Sequence, residues 1–214
     1  MEAAARLTAV RLPLWTLAIC AGAVLVFLSP FLESVLIYDR GAIAHGELWR
    51  LVTGNLVHYS AAHLGYDLLA LLVAGTMIET SGYRHYPILC LAAAVFIGMV
   101  LYWAEPTMFY YAGLSGVATA AIVYLCLHGL SEKGAWRWVC AAALLGLGIK
   151  MGIEFTFNES LLFSAGSSEF LPVPLSHLVG AGVALFLFVL SRSSAKNHRR
   201  SASRHKSVPE QHPA

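Results

Sequence analysis

The chain of 214 residues is 58% hydrophobic and 12% charged, with a formal net charge of +2 and a mean hydropathy of +0.67. Soluble domains average roughly 45–50% apolar and about 25% charged residues, so a water-soluble globular protein is excluded, and nothing in the charge balance suggests a nucleic-acid partner. Spans of about 20 residues cross a bilayer, so six would use about 120 residues; that leaves loops and a tail, and any chemistry must sit in or beside the membrane.

Apolar runs read against helix breakers predict six spans, at 13–37, 60–80, 86–104, 113–130, 135–155 and 173–191. The first ends without a small-residue cleavage site and is long enough to cross, so it is expected to be a retained helix and not a removed signal peptide. A longer connection, 38–59, follows it; the remaining links are a tight turn at 81–85, short ones at 105–112 and 131–134, and a polar loop at 156–172. No internal repeat is visible. The reading is therefore an all-α polytopic membrane protein with one six-span domain, 1–191, followed by a basic tail, 192–214, expected to be disordered and to lie against anionic lipid. Cys20, Cys90, Cys126 and Cys140 each fall in an apolar run without metal-site or disulfide spacing, and read as small core residues.

Short cytoplasmic segments collect Lys and Arg. With the N-terminus inside, Arg6, Arg11, Arg84, Lys133, Arg137 and the six basic residues from Arg192 to Lys206 share one side, 11 of 14, while Arg40 and Arg50 fall outside and Lys150 lies in a span. Both termini are thus expected to be cytoplasmic.

Polar groups inside a span cost free energy unless satisfied, so they mark function or helix-to-helix bonding. Four places stand out: His58 to Asp67 at the start of the second span, with His63 and Asp67 at i,i+4; Gly113-Leu-Ser115-Gly116 opening the fourth; Lys150 and Glu154 in the fifth; and Ser176-His177 near the start of the sixth. Spans two, four and six all run from outside to inside. His63, Ser115 and His177 lie within about four residues of their outer starts, hence roughly 3–8 Å below the outer boundary. A serine hydroxyl needs an adjacent base, and histidine suits that role. Ser115 would attack a carbonyl, His177 would take its proton and return it to the leaving amine, and free backbone N–H groups in the first turn of the fourth span would hold the oxyanion. Gly113, Gly116, Gly180 and Gly182 lack side chains and allow helices to approach closely.

Each feature also has a plain structural reading. Gly-x-Ser-Gly alone in a membrane helix reads as packing, and a lone His128 as an interhelical hydrogen bonder or end residue. His58 and His63 at i,i+5 would stand about 140° apart on a helix, so shared metal ligation is not expected. Lys150 and Glu154 read as an ion pair with a snorkelling lysine. Matched depth raises the catalytic reading of Ser115 and His177 above these.

Taken together, the residues resemble the rhomboid family of intramembrane serine proteases. The likeness runs from Glu47-Leu-Trp49-Arg50 through His58-x4-His63-x3-Asp67 to Gly113-Leu-Ser115-Gly116 and His177-x2-Gly180, in the family's order. It implies a six-helix rhomboid fold, a Ser115–His177 dyad without a third acid, a cavity open to the outer side, an oxyanion site involving His63, the Ser115 backbone and Asp67, and a loop brace made by Trp49 and Arg50. Within the family the chain is most similar to the bacterial rhombosortases, of the cytoplasmic (inner) membrane, which process C-terminal Gly-Gly-type anchors; the Tyr-Ala-Gly-Leu-Ser-Gly run, the small size and the Lys150-x3-Glu154 pair carry that likeness. Asp67 stands where the family generally has asparagine, and Thr119 where a ring often stacks on the base. Asp67 is then either protonated or holds His63 and leaves donation to it and the backbone.

The leading expectation is a serine endopeptidase that needs no cofactor or metal and cleaves single-span, membrane-anchored proteins near the outer boundary, at small or helix-breaking residues. The competing one is a catalytically impaired rhomboid-like protein that binds transmembrane helices. A small transporter fits poorly, because the polar residues gather at one side and no repeat exists.

Overall fold

The computed structural model describes residues 12–83, 85–157 and 173–206, the last thirteen by backbone alone. The polar loop expected at 156–172 and the end of the tail lie almost wholly outside the described residues.

Four helices are long and apolar enough to cross a bilayer: α5 (Ala61–Ser81), α6 (Tyr86–Ala104), α8 (Ala135–Phe157) and α9 (Pro174–Lys206), the last over its Pro174–Ser193 portion. They coincide with four of the six predicted spans. The first predicted span instead breaks into α1 (Leu14–Phe27) and α2 (Pro30–Leu36), bent by 109°. Ser29 and Pro30 explain the break: the Ser29 side chain accepts from Leu32 N–H, and proline at the first position starts a new helix instead of continuing the old one. The fourth predicted span is α7 (Ser115–Gly129), whose 15 residues rise only about 22 Å. That is less than the roughly 30 Å of a bilayer's hydrocarbon core. Past Ser191, where a disordered tail was expected, the backbone stays helical through Lys206.

Why α7 tolerates so short a length follows from its surroundings. Eleven of its residues are buried, on every side of the helix. It packs most extensively against α9, then α5, α6 and α8. Such a helix is a protein core and has little contact with lipid, so its length need not match the bilayer. Small residues make the close packing feasible: a Cβ on Gly180 of α9 would collide with the Gly116 carbonyl of α7, and a Cβ on Gly116 would stand 3.0 Å from the Ser176 carbonyl.

The connection 38–59 folds against the bundle. It contains β1 (Tyr38–Asp39), α3 (Arg40–Ala44), α4 (Arg50–Thr53) and a 3-10 turn, Gly54–Leu56. β1 pairs antiparallel with β2 (Tyr110–Tyr111), which lies just before α7. Arg50 is buried and ties this region together: Nε donates to Glu47 Oε2 at 2.6 Å, and one terminal nitrogen donates to the carbonyls of Ser34 (3.0 Å) and Ile37 (2.9 Å). Trp49 Nε1 donates to the Val35 carbonyl. Both residues thus satisfy carbonyls at the end of α2 that would otherwise lack partners. At the far end of α5, Glu79 does the same for α1, accepting from the N–H of Thr16 (2.8 Å), its hydroxyl (2.7 Å) and the N–H of Trp15 (3.2 Å).

The four cysteines are free and buried, in keeping with their reading as core residues. His128 stacks on Tyr83 at 4.4 Å and meets Tyr124 and Phe188 edge-on. It lies in the last turn of α7, as the end-residue reading expected, and is packed there between aromatic rings.

Candidate active site

Ser115 is the first residue of α7, where the N–H groups have no helical acceptor. The turn that delivers it depends on Gly113, whose φ of +132° is a conformation suited to glycine. A Cβ at that position would also stand 2.8 Å from Cε1 of His63. Glycine therefore lets the turn bend and lets the His63 ring lie against it. The Tyr111 hydroxyl donates to the Gly113 carbonyl at 3.0 Å. Burial pushes the Tyr111 phenol well above its ordinary range, so it stays a neutral donor.

Asp67 lies one turn beyond His63 on α5. Its Oδ2 accepts from the N–H of Leu114, the residue before Ser115, at 2.9 Å. His58 Nε2 and His63 Nε2 each lie 3.2 Å from the same oxygen, and their rings meet nearly edge-on at 4.9 Å. The expected 140° divergence of the two histidines fails because it placed both on one helix. α5 starts only at Ala61, with the Ser60 side chain accepting from His63 N–H; His58 sits in the extended stretch before it and is free of helical spacing. The ligand atoms of His58, His63 and Asp67 fall within 4.8 Å of one another, so these three could hold a metal ion. His58 and Asp67 are also hydrogen-bonded to each other. A backbone N–H can only donate, so toward Leu114 the Asp67 oxygen acts as acceptor, as a carboxylate that orients its neighbours would.

His177 lies in the first turn of α9 and is 6% exposed. Its Nδ1 is 3.2 Å from Glu154 Oε2, and Glu154 Oε1 receives Lys150 Nζ at 2.6 Å. The sequence reading found the Lys150–Glu154 pair from its i,i+4 spacing but missed the histidine. Nothing in the sequence says which face of α8 turns to α9.

One cavity of about 660 Å³ gathers these groups: His63, Asp67, Ser115, His177, Lys150 and Glu154 all line it. It runs down between α5, α7 and α8 as far as Met77 and Trp136, with apolar walls over most of its length. Four of the predicted site residues, His63, Asp67, Ser115 and His177, thus come to one place. Gly113 and Gly116 shape the backbone around it, and Trp49 and Arg50 stand apart in the first connection. Thr119 also lines the cavity, one turn below Ser115.

Residues 45–194 match the family model of the rhomboid domain. The chain belongs to the rhomboid family. This rhomboid is 32% identical to "Rhomboid protease GluP" of Bacillus subtilis over 123 residues, which cover 56% of the chain and 24% of that protein. It is 31% identical to "Rhomboid protease GlpG" of Pectobacterium atrosepticum over 106 residues, 47% of the chain and 38% of that protein. The chain therefore spans well under half the length of these curated relatives. The rhomboid domain takes in every residue that lines the cavity, from His63 to His177.

Proposed function

We propose that this rhomboid is an intramembrane serine endopeptidase in which Ser115 is the nucleophile and His177 the base. The observation that carries the reading is the shared cavity: Ser115 at the N-terminus of the buried central helix and His177 on the helix packed closest to it open onto one space. The names of the two relatives and the match to the rhomboid domain agree with it. Ser115 Oγ adds to the scissile carbonyl carbon as His177 Nε2 accepts its proton. The tetrahedral oxyanion lies against the free N–H groups of the first turn of α7 and beside His63. The C–N bond then breaks, His177 returns the proton to the leaving amine, and water, activated by the same imidazole, hydrolyses the acyl-enzyme to release the second product and free Ser115.

The substrate is a membrane-anchored protein with a single apolar span. The apolar trough running beside α5 from His63 to Met77, about 21 Å of helix, offers a place for such a segment next to the nucleophile. A helical segment hides its carbonyls in hydrogen bonds, so cleavage falls at Gly, Ala or other residues that unwind readily. Within this reading the chain spans the bacterial inner membrane six times, with α1–α2 and α7 as the irregular spans, both termini in the cytoplasm and the basic C-terminal segment against anionic lipid. The rhombosortase likeness points to C-terminal Gly-Gly-type anchors as substrates.

The test is cleavage of a model anchored peptide by the purified full chain in lipid. Ser115→Ala and His177→Ala should each abolish product. A folded, helix-binding protein without cleavage would instead favour the non-catalytic alternative, for which Asp67 and Thr119 are the motivating residues.

A further inference from the structure

Glu154 is 1% exposed, yet it is a carboxylate on α8, a helix otherwise largely turned outward. A snorkelling Lys150 would not require that burial. What the ion pair alone leaves unexplained is the second oxygen: Oε1 is taken by Lys150, whereas Oε2 faces His177 Nδ1 at 3.2 Å across the gap between α8 and α9. An ionised carboxylate can only accept hydrogen bonds. With Lys150 supplying the compensating charge, Nδ1 must carry the proton, and the lone pair of His177 falls on Nε2, the nitrogen that must serve Ser115.

We propose that Glu154, held by Lys150, is a positioning residue for His177: it fixes the tautomer with hydrogen on Nδ1, orients the ring toward Ser115, and stabilises the imidazolium formed when the serine proton arrives. The site is then a relay drawn from three helices, Ser115 on α7, His177 on α9 and Glu154 on α8, where the family resemblance implied two residues and no acid. It rests on the protease reading above. No bond forms or breaks at Glu154, and the proton stays on Nδ1 throughout.

The titratable and hydroxyl groups that share the cavity with His177 are Glu154, Lys150 and Cys140 from α8, Asp67, His63 and Tyr66 from α5, and Ser115, Thr119 and Cys126 from α7, together with Ser176 beside it on α9. Of these only Glu154 reaches Nδ1. An amide in its place keeps the shape but presents either an NH₂ group, which favours hydrogen on the wrong nitrogen, or a neutral oxygen that no longer stabilises the cation.

The experiment uses the full chain in proteoliposomes, a fluorophosphonate probe to read the reactivity of Ser115 across pH 5–9, and an anchored peptide to separate kcat from KM. Glu154→Gln should lower kcat by about 10²–10⁴-fold with KM within about twofold, and should move the midpoint of the labelling profile to lower pH. Glu154→Asp should recover part of the loss, and Lys150→Met should cost about tenfold. Glu154→Gln that labels and cleaves at the wild-type rate with an unmoved midpoint overturns the proposal and leaves Glu154 as an ion-pair partner only. Should Glu154→Gln unfold, Glu154→Asp and Lys150→Met decide alone: shifted midpoints in both support it, wild-type midpoints in both overturn it. Activity that survives Ser115→Ala or His177→Ala sinks the protease reading instead, so the two failures are distinct.

Discussion

Replacing Gly180 with alanine adds one methyl group where α9 crosses α7, and the consequence can be worked from the backbone. The new Cβ would overlap the Gly116 carbonyl oxygen by roughly 1 Å relative to ordinary van der Waals contact. That oxygen belongs to the helix that begins at Ser115, one residue earlier, and Gly180 lies three residues after His177. Neither backbone can absorb the overlap by a rotamer change, so α7 and α9 must separate by about the same 1 Å. Overpacking of this kind costs about 1–3 kcal/mol of stability, while a 1 Å misplacement of reacting groups costs on the order of 10²-fold in rate. The expected result is a protein that still folds, melts a few degrees lower, and cleaves an anchored peptide about a hundredfold more slowly, with the loss in kcat. Wild-type kcat in a Gly180→Ala protein would refute the idea that the α7–α9 contact sets the geometry of the site.

Three further outcomes follow from particular contacts. Asp67→Ala leaves the Leu114 N–H and the His58 imidazole without their shared acceptor; each stranded buried donor costs about 1–3 kcal/mol, so thermal unfolding should show a loss of about 2–6 kcal/mol and fluorophosphonate labelling of Ser115 should slow. Glu79→Ala removes the acceptor from three donors at the start of α1 and should cost about 1–2 kcal/mol, with activity per folded molecule unchanged because Glu79 lies at the opposite end of α5 from His63. The buried Tyr111 phenol has its folded pKa raised above the unfolded value near 10; its protonated form is the one the fold favours, so its contribution is complete below pH 10 and is lost as pH rises beyond that. Tyr111→Phe should therefore flatten part of the alkaline loss of stability while leaving the unfolding free energy between pH 6 and 9 lower by the worth of one hydrogen bond, about 1 kcal/mol.

How much of this was legible in the sequence differs from feature to feature, for physical reasons. The long spans were visible because lipid demands about 20 consecutive apolar residues, a signal carried by every position. α7 was also visible, though its end points hid that it is a core helix of 15 residues. The convergence of His63, Ser115 and His177 could be read because span direction and depth follow from order along the chain. The break between α1 and α2 was missed because Leu28 and the residues after Pro30 keep the run apolar, and only the Ser29-Pro30 pair marks it. His58 was misplaced by extending helical spacing to a residue ahead of the helix, whose boundary is set by the Ser60 cap. The β1–β2 pairing and the Glu154–His177 contact join residues far apart in sequence, through the rotation of helices about their own axes. An i,i+4 spacing fixes which residues share a helix face, but not the neighbour that face meets.

The most direct test of the central claim is to treat the full chain in lipid with a fluorophosphonate probe and map the modified residue by mass spectrometry, in the wild type and in His177→Ala. The account predicts a single adduct on Ser115 that disappears when His177 is removed. Labelling that is absent, that falls on another residue, or that persists undiminished on Ser115 without His177 would contradict it.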